Sequence, residues 1–339
     1  MNNKYFILSI SLALCGLAAC QKPDAPQVIS EPDKIEVRLG VGDDAQTKAA
    51  STNNLYGINV YYDPARDGNS DTHYAYGLFD NKEDMTITLL SGYTYKFECT
   101  MVKDGKSVLY CGQYGGNSFS GYAAPFQTNE SVSTQLSNAF VYGTTYLSGI
   151  TSGRATVKSA ATGYEEQAMP SIQRYYGEAE GYSPVPGGIV TIPLKKTVFG
   201  VRLIVDKVPE GTLTASVNYS GTTLLSGVST QVLFDSGSHI YSFDNVQWSW
   251  RYPDTGTLGA TVNWSFTSSV FDQWNQTGSE TVRLKRNTLT TITVSCTPDN
   301  ASGNIITQEE DIGENRIYLY LNSDGVIVIG IEPNPEDDD

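Results

Sequence analysis

The amino-acid sequence predicts an all-β protein built from two tandem β-sandwich domains. The chain is rich in residues that favour strands, with 22 Tyr and 11 Phe, while charged residues make up only 17%. Short stretches of alternating polar and apolar residues recur, and in the second half of the chain turn signals separate them about every ten residues. The length of 339 residues suits two domains, each large enough to bury its own core.

The composition excludes several classes of function. The formal net charge is −15, so the chain lacks the basic surface that neutralises nucleic-acid phosphates, and no nucleic-acid partner is expected. Its two histidines, His73 and His239, have no neighbours at catalytic spacing, which argues against a histidine-built metal site or triad. Gly-x-Ser-x-Gly, phosphate-binding and CxxC motifs are absent from the sequence. We therefore expect no enzymatic activity, no cofactor and no metal.

The N-terminus has the parts of a bacterial lipoprotein signal. A positive start at Lys4 precedes an apolar stretch over residues 5–14, which is too short to span a bilayer. The sequence LAAC then ends at Cys20 and resembles the lipobox, in which the cysteine thiol carries the lipid. We predict a signal peptide over residues 1–19, lipidation of Cys20, and a mature protein that is anchored to a membrane rather than spanning it. The alternative is an ordinary signal peptide followed by a chance cysteine.

Three cysteines would remain in the body of the mature protein: Cys99, Cys111 and Cys296. This odd number argues against a disulfide framework. A two-residue loop at Asp104-Gly105 would put Cys99 and Cys111 on opposite faces of a hairpin, whereas a three-residue loop would place them opposite each other. Asp-Gly favours the first register, so buried free thiols are expected and a Cys99–Cys111 disulfide is the alternative.

Residues 20–52 are predicted to form a tether and a separate strand. A polar, proline-containing segment follows Cys20. Residues 34–41 then alternate polar and apolar side chains with period two, which predicts a strand, and a polar loop with Lys48 comes next. The N-terminal β-sandwich is expected over residues 53–184, with strands that include residues 56–62, 85–90 and 93–102.

A Pro-Gly-rich linker at residues 184–188 is expected to begin the C-terminal β-sandwich over residues 185–300. The strands predicted in it are residues 188–194, 197–206, 212–219, 228–234, 240–250, 259–267, 279–284 and 289–297. Residues 301–339 are predicted to form a β-hairpin extension with an acidic end.

Two segments of this extension have very high β propensity. They are RIYLYL at residues 316–321 and VIVIGI at residues 326–331, separated by the turn sequence NSDG. Left unpaired, such segments would be adhesive strand edges, so they are expected to pair with their own domain or with another subunit. The residues concerned are Arg316, Ile317, Tyr318, Leu319, Tyr320, Leu321, Val326, Ile327, Val328 and Ile329.

Taken together, these features resemble the fimbrillin-like lipoproteins of Bacteroidetes, the subunits of type V pili. The lipobox, the strand ahead of a basic residue and the two sandwiches carry the resemblance. So do the sequences YYGE at residues 175–178, VTIPLKKTVFG at residues 190–200 and LKRN at residues 284–287. The resemblance implies two transthyretin-like, Greek-key β-sandwiches and a structural or adhesive role in a fimbria.

The resemblance also implies an assembly mechanism. The lipoprotein would reach the outer membrane and the cell surface, a trypsin-like protease would remove the first strand, and a strand of the next subunit would fill the groove. The removable strand would be residues 34–41, and the cut would follow Lys48, with Arg38 and Arg66 as lesser candidates. The donor strand would be one of the two C-terminal segments.

The implied partners are other pilus subunits, the outer membrane through the lipid anchor, and a host or bacterial surface receptor. Members of the family typically carry Arg where this chain has Lys48. An uncut subunit that stays anchored, with Lys48 as a solvated loop residue, is therefore the alternative.

The four tryptophans all fall between residues 248 and 274. Trp248, Trp250 and Tyr252 alternate along the chain and are predicted to share one face of a strand. The main interpretation is that they belong to the core of the second domain. The alternative is an aromatic platform, which would make the protein an outer-membrane surface lipoprotein that binds glycans.

Overall fold

A computed structural model describes residues 32–43, 53–113, 120–208, 210–251, 257–270, 275–297, 300–311, 317–321 and 327–331 of the chain. Nearly all of its regular structure is β-strand, as predicted. Within these ranges, helices are too short or too polar to cross a membrane.

The described residues of the first half of the chain form twelve strands, a 3-10 turn (Lys82–Asp84) and one short helix, α1 (Gly105–Val108). The strands are β1 (Lys34–Asp43), β2 (Leu55–Tyr62), β3 (Thr72–Phe79), β4 (Thr86–Leu90), β5 (Tyr95–Val102), β6 (Cys111–Gln113), β7 (Ser120–Tyr122), β8 (Phe140–Tyr142), β9 (Ala155–Val157), β10 (Glu165–Gln167), β11 (Arg174–Tyr182) and β12 (Ile189–Lys196).

Eight of these strands form one sheet in the order β4-β1-β12-β11-β5-β2-β3-β8. β12 turns the corner between its two halves, because residues 189–194 pair in parallel with β1 while Lys195 and Lys196 pair with β11. Side chains from both halves then meet in a single core that includes Val37, Phe97 and Ile192. The outcome is a sandwich made by folding one sheet over on itself.

Between residues 197 and 311, the described part of the chain forms nine more strands and the helix α2 (Val246–Arg251). The strands are β13 (Val198–Val205), β14 (Gly211–Tyr219), β15 (Thr222–Ser229), β16 (Phe234–Asp235), β17 (His239–Ser242), β18 (Thr257–Ser268), β19 (Gln276–Lys285), β20 (Thr288–Thr297) and β21 (Asn300–Asp311). One sheet has the order β16-β13-β20-β21, with β17 beside β13, and the other has the order β15-β14-β18-β19. Buried side chains such as Phe199, Val217 and Ile292 form one core between the sheets.

The strand pairing moves two predicted boundaries. β12 was expected to begin the second domain, yet it pairs with β1 and β11, so the first sheet extends to Lys196. β21 falls in the predicted extension, yet it pairs along its length with β20 and belongs to the second sandwich. At both boundaries, the strand to which β12 or β21 is hydrogen-bonded decides the domain to which it belongs. Local signals such as the Pro-Gly linker before β12 do not reveal that partner.

The predicted hairpin at Asp104-Gly105 is also wrong. Asp104 takes a left-handed conformation with φ of 53°, and the chain then enters α1. Cys99 is buried, but Cys111 is exposed on β6, which corrects the expectation that both thiols are buried. The described cysteines are all free, and burial raises the pKa of the Cys99 thiol well above its usual value.

The last two strands, β22 (Ile317–Leu321) and β23 (Ile327–Ile331), form an antiparallel hairpin. Within the described part of the chain, this hairpin is a separate two-stranded sheet. The two C-terminal segments therefore pair with each other rather than with either sandwich. Arg316 and Val326, the first residues of the predicted segments, lie outside the described residues.

Candidate functional site

The predicted separate strand, β1, is inserted between β4 and β12 in the first sheet. Residues 34–38 pair antiparallel with residues 86–90 of β4, and residues 38–43 pair in parallel with residues 189–194 of β12. Backbone hydrogen bonds continue beyond these registers, with Leu39 N donating to Met85 O at 2.8 Å and Ser91 N donating to Asp33 O at 2.8 Å. β1 therefore satisfies the inner edges of two strands that do not pair with each other.

Alternate residues of β1 point into the core of the first sandwich. Val37 and Leu39 are 1% and 4% exposed, and Ile35 and Val41 are partly buried against the same cluster. Burying side chains of this size contributes about 1.5–3 kcal/mol each relative to leaving them in water. The period-two pattern in the sequence is thus the pattern of a strand with one face in the core.

The opposite face of β1 is held much less firmly. Lys34, Glu36 and Arg38 are exposed on it. Arg38 forms an ion pair with Glu83 at 2.7 Å, but both side chains are more than half exposed, and such pairs contribute at most about 1 kcal/mol. The main-chain ladders and the inward apolar side chains therefore hold β1 in place.

The chain connects β1 to the rest of the domain through residues 44–52, which precede the described stretch that begins at residue 53. Lys48 falls in this connection and, like Cys20, lies outside the described residues. Of the lesser candidates for cleavage, Arg38 lies within β1, where its amide donates to Gly188 O at 3.2 Å. Arg66 lies in the exposed loop after β2 with φ of 57° and its guanidinium over the Tyr93 ring.

The outer edge of β4 is covered by tyrosine hydroxyls rather than by another strand. Tyr74 Oη donates to Thr88 O at 2.9 Å, and Thr88 N donates to Tyr142 Oη at 3.0 Å. Two residues along, Leu90 N donates to Tyr95 Oη at 2.8 Å. These hydroxyls occupy the edge groups that a foreign strand would need, so β4 does not present a free edge at these positions.

The C-terminal hairpin pairs its aliphatic residues with one another. Ile317 is opposite Ile331, Leu319 is opposite Ile329, and Leu321 is opposite Ile327. Directly opposed residues belong to the same face of an antiparallel pair. Each strand of the hairpin therefore repeats the alternating aliphatic pattern of β1.

The predicted aromatic platform is not formed by Trp248 and Trp250. They lie in helix α2 rather than on a strand, and Tyr252 lies outside the described residues. Positions two apart on a helix point in different directions. Trp248 is 39% exposed, whereas Trp250 packs edge-on against Tyr176 of the first domain and donates from Nε1 to Pro193 O at 3.2 Å. Asn245 caps this helix, because its side-chain oxygen accepts a hydrogen bond from Trp248 N. An asparagine at this position is a sequence signal for a helix start, but the alternating aromatic residues favoured a strand.

Helix α2 also brings charge to the junction between the domains. Arg251 forms an ion pair with the buried Glu178 at 2.7 Å, and Gln247 donates to the same carboxylate. Opposite Glu178 in the sheet lies Glu98, which is 5% exposed and is paired with Lys96 at 2.8 Å. Burial opposes ionisation of Glu178, but the hydrogen bonds from Gln247 and Arg251 prevail and hold the pKa of its carboxyl below the usual value.

A buried arginine orders the other side of the junction. Arg174 is 0% exposed, and desolvation lowers the pKa of its guanidinium to about 9. It donates to Thr100 Oγ1 and Ile150 O, both at 3.0 Å, and to three more carbonyl oxygens of residues 149–154. This loop contacts the second domain, where Gly153 N donates to Asp244 O at 2.7 Å. A side chain at Gly153 would collide with Phe243 O. Nothing in the local sequence marks Arg174, because a lone arginine at the start of a strand belongs to no motif.

The comparisons with known proteins give structural likenesses only. No family model matches the chain, and no curated protein matches it. The chain is similar to a proposed cell adhesion protein from Bacteroides eggerthii, with 12% identity, a TM-score of 0.35, and coverage of 85% of this chain and 98% of that one. It is similar to a fimbrial assembly protein from Parabacteroides distasonis (11%, TM-score 0.33, 88% and 99%). It is also similar to the fimbrial anchor protein Mfa2 from Porphyromonas gingivalis (8%, TM-score 0.35, 83% and 98%).

These descriptions match the fimbrillin-like resemblance found in the sequence. Because every one of these TM-scores is below 0.5, the function proposed below rests on the residues of this chain.

Shortening Leu39 should loosen β1. We expect Leu39→Ala to lower the free energy of unfolding of the first domain by about 2–5 kcal/mol, because it leaves a cavity in a closed core. Glu36→Ala, on the exposed face of the same strand, should change it by less than about 0.5 kcal/mol. Hydrogen exchange of peptides from β1 and β4 at increasing urea concentration measures the free energy of unfolding of the first domain separately from that of the second. Equal effects of the two substitutions would contradict the inward placement of Leu39.

The charge on Glu178 should make the domain junction sensitive to acid. Its pKa in the folded protein lies below the unfolded value near 4.5, so the ionised carboxylate stabilises the fold above that pH. This contribution is lost as the pH falls through the lower, folded-state pKa. At pH 7, Glu178→Gln should therefore lower the unfolding free energy by about 1–3 kcal/mol. The difference from wild type should shrink on acidification.

Glu180→Gln is the matched control for this experiment, because its side chain is 62% exposed beside the same arginine. Thermal unfolding of the three proteins between neutral and acidic pH measures both effects. A Glu178→Gln deficit that persists unchanged in acid would contradict the role given to the ionised carboxylate.

Proposed function

We propose that this protein is a structural subunit of a cell-surface fibre that polymerises by strand exchange. In this proposal, cleavage in residues 44–52 releases β1, and a C-terminal strand of another copy replaces it between β4 and β12. The single observation that carries the proposal is the position of β1. It completes the first sheet and fills part of its core, yet it joins the domain only through the short connection that contains Lys48.

Release of β1 would leave a gap in the first sheet that one β-strand can fill. The inner edges of β4 and β12 would lose their hydrogen-bonding partners, and Ile87, Leu89 and Ile192 would lose the side chains that cover them. Unpaired strand edges beside exposed apolar side chains favour β-augmentation. The covered outer edge of β4 directs an incoming strand to the vacated position.

This position accepts a strand running in either direction. β1 runs parallel to β12 and antiparallel to β4, so a reversed strand would also pair in parallel with one neighbour and antiparallel with the other. The hairpin strands β22 and β23 supply the alternating aliphatic residues that such a strand needs, led by Ile317 or Ile327. Because donor and acceptor are different surfaces of the same chain, the contact is head-to-tail and extends into a fibre.

The remaining parts of the proposal concern export and attachment. The lipobox supports export as a lipoprotein and attachment of the precursor to the outer membrane through Cys20, and a fibre of such subunits would serve adhesion at the cell surface. Other subunits and a surface receptor would be its partners. The descriptions of the similar structures agree with this proposal, although their TM-scores give it no weight.

The test is limited trypsin digestion of the purified protein from residue 21 onward. We expect a cut after Lys48, loss of the fragment that carries β1, and filaments visible by electron microscopy with ladders in SDS gels. Lys48→Gln should remain uncut at this position and monomeric, while Lys48→Arg should behave as wild type.

A second variant separates the cut from the exchange. Deletion of residues 312–339 should leave both sandwiches folded and cleavage unchanged, but it should abolish the filaments. A wild-type product that loses β1 and stays monomeric, or filaments formed by the truncated protein, would overturn the proposal.

A further inference from the structure

The first domain carries an open cleft beside the outer edge of β4. It has a volume of about 630 Å³ and lies between the outer edge of β4, the start of β3 and the segment after β8. Its lining consists of tyrosine, threonine, histidine, glycine and lysine residues. Ligand sites in proteins are typically concave, of this size, and lined by aromatic side chains with a few polar groups.

The walls of the cleft are aromatic rings held in fixed positions. Tyr74 packs edge-on against Tyr62 at 5.4 Å and against Tyr142 at 5.6 Å between ring centroids. The hydroxyls of Tyr74 and Tyr142 are anchored on the backbone of Thr88, and His73 is fixed by a hydrogen bond to Gly143 O at 2.9 Å. Tyr142 is nevertheless 50% exposed. The rings are therefore preorganised before any ligand arrives, which lowers the entropic cost of binding.

The polar groups of the cleft suit a sugar. Within the described part of the chain, the hydroxyls of Tyr62, Thr72 and Thr144 have no hydrogen-bond partner, and all three residues line the cleft. Flat aromatic surfaces pack against the C–H faces of sugar rings, while hydroxyls donate to and accept from sugar hydroxyls.

The charge of the cleft indicates the charge of the ligand. The chain as a whole has a net charge of −15, yet among the described residues that line the cleft none carries a carboxylate, and the one charged side chain is that of the exposed Lys34. An ammonium group at the rim of a cleft without acidic residues favours an anionic group on the ligand.

We propose that this cleft binds a segment of an acidic polysaccharide, with its sugar rings against Tyr62, Tyr74 and Tyr142 and an acidic substituent at Lys34. The ligand class is a uronic-acid or sulfated oligosaccharide. Lys34 is part of β1, so the cleft is complete only while β1 is in place. The binding is therefore a property of the uncut subunit, and release of β1 would remove Lys34 from the cleft.

The test is isothermal titration calorimetry of the uncut protein from residue 21 onward. The probes are acidic hexasaccharides, namely oligogalacturonate, hyaluronan and heparan sulfate fragments, and the neutral control is maltohexaose. We expect at least one acidic probe to bind and maltohexaose to bind about tenfold more weakly or not at all. No binding of any acidic probe at millimolar concentration, or equal binding of maltohexaose, would overturn the proposal.

Two variants place the bound sugar in the cleft. Lys34→Gln should weaken binding of the acidic probe about tenfold. Lys207→Gln, an exposed lysine of the second domain, removes the same charge and should leave binding unchanged. Tyr142→Ala should also weaken binding about tenfold, whereas Tyr164→Ala, an exposed tyrosine outside the cleft, should not.

Thermal unfolding of each variant separates loss of the site from loss of the fold. If Tyr142→Ala is unstable, the comparison of Lys34→Gln with its control Lys207→Gln decides the outcome, because both lysines are exposed. Undiminished affinity in a folded Lys34→Gln protein would overturn the placement of the ligand.

Discussion

The first domain depends on the hydrogen bonds that β1 makes to two strands at once. Backbone amides and carbonyls at a sheet edge must find partners, and β4 and β12 find theirs in the same inserted strand. The apolar face of β1 fills the core beneath them through Val37 and Leu39. Any account of this protein in which β1 leaves must therefore supply a replacement with both main-chain groups and alternating apolar side chains.

The junction between the domains is held by a different kind of interaction. Buried charge replaces apolar packing there: Arg174 orders the loop that contacts the second domain, and helix α2 places Arg251 on the buried carboxylate of Glu178. Such groups are costly to bury without partners, so each fixes the position of the other. Trp250 adds an aromatic contact across the same boundary.

Local sequence patterns predicted the positions of most single strands. The period-two alternation of residues 34–41 located β1. Recurring turn signals located most strands of the second sandwich, and high β propensity located both strands of the C-terminal hairpin. Period-two alternation misassigned helix α2, because Trp248 and Trp250 alternate as strand residues do while Asn245 starts a helix. Sequence alone also misplaced β12, because most of it pairs with β1, which is distant in the chain, and it could not find Arg174 or the tyrosine cleft. Both of these are assembled from segments that only the folded sheet brings together.

The amides of Thr88 and Leu90 donate to tyrosine hydroxyls, so they serve as controls for the amides of residues 85–90 and 189–194 that face β1. Hydrogen exchange of these β1-facing amides tests most directly whether β1 holds the inner edges of β4 and β12. It is measured in the intact monomer, in the cleaved protein held under dilute, non-polymerising conditions, and in the assembled product. We expect the β1-facing amides to exchange slowly in the monomer, fast after β1 is released, and slowly again on assembly. β1-facing amides that remain protected after β1 has gone, or that stay exposed in the assembled product, would contradict the role given to β1.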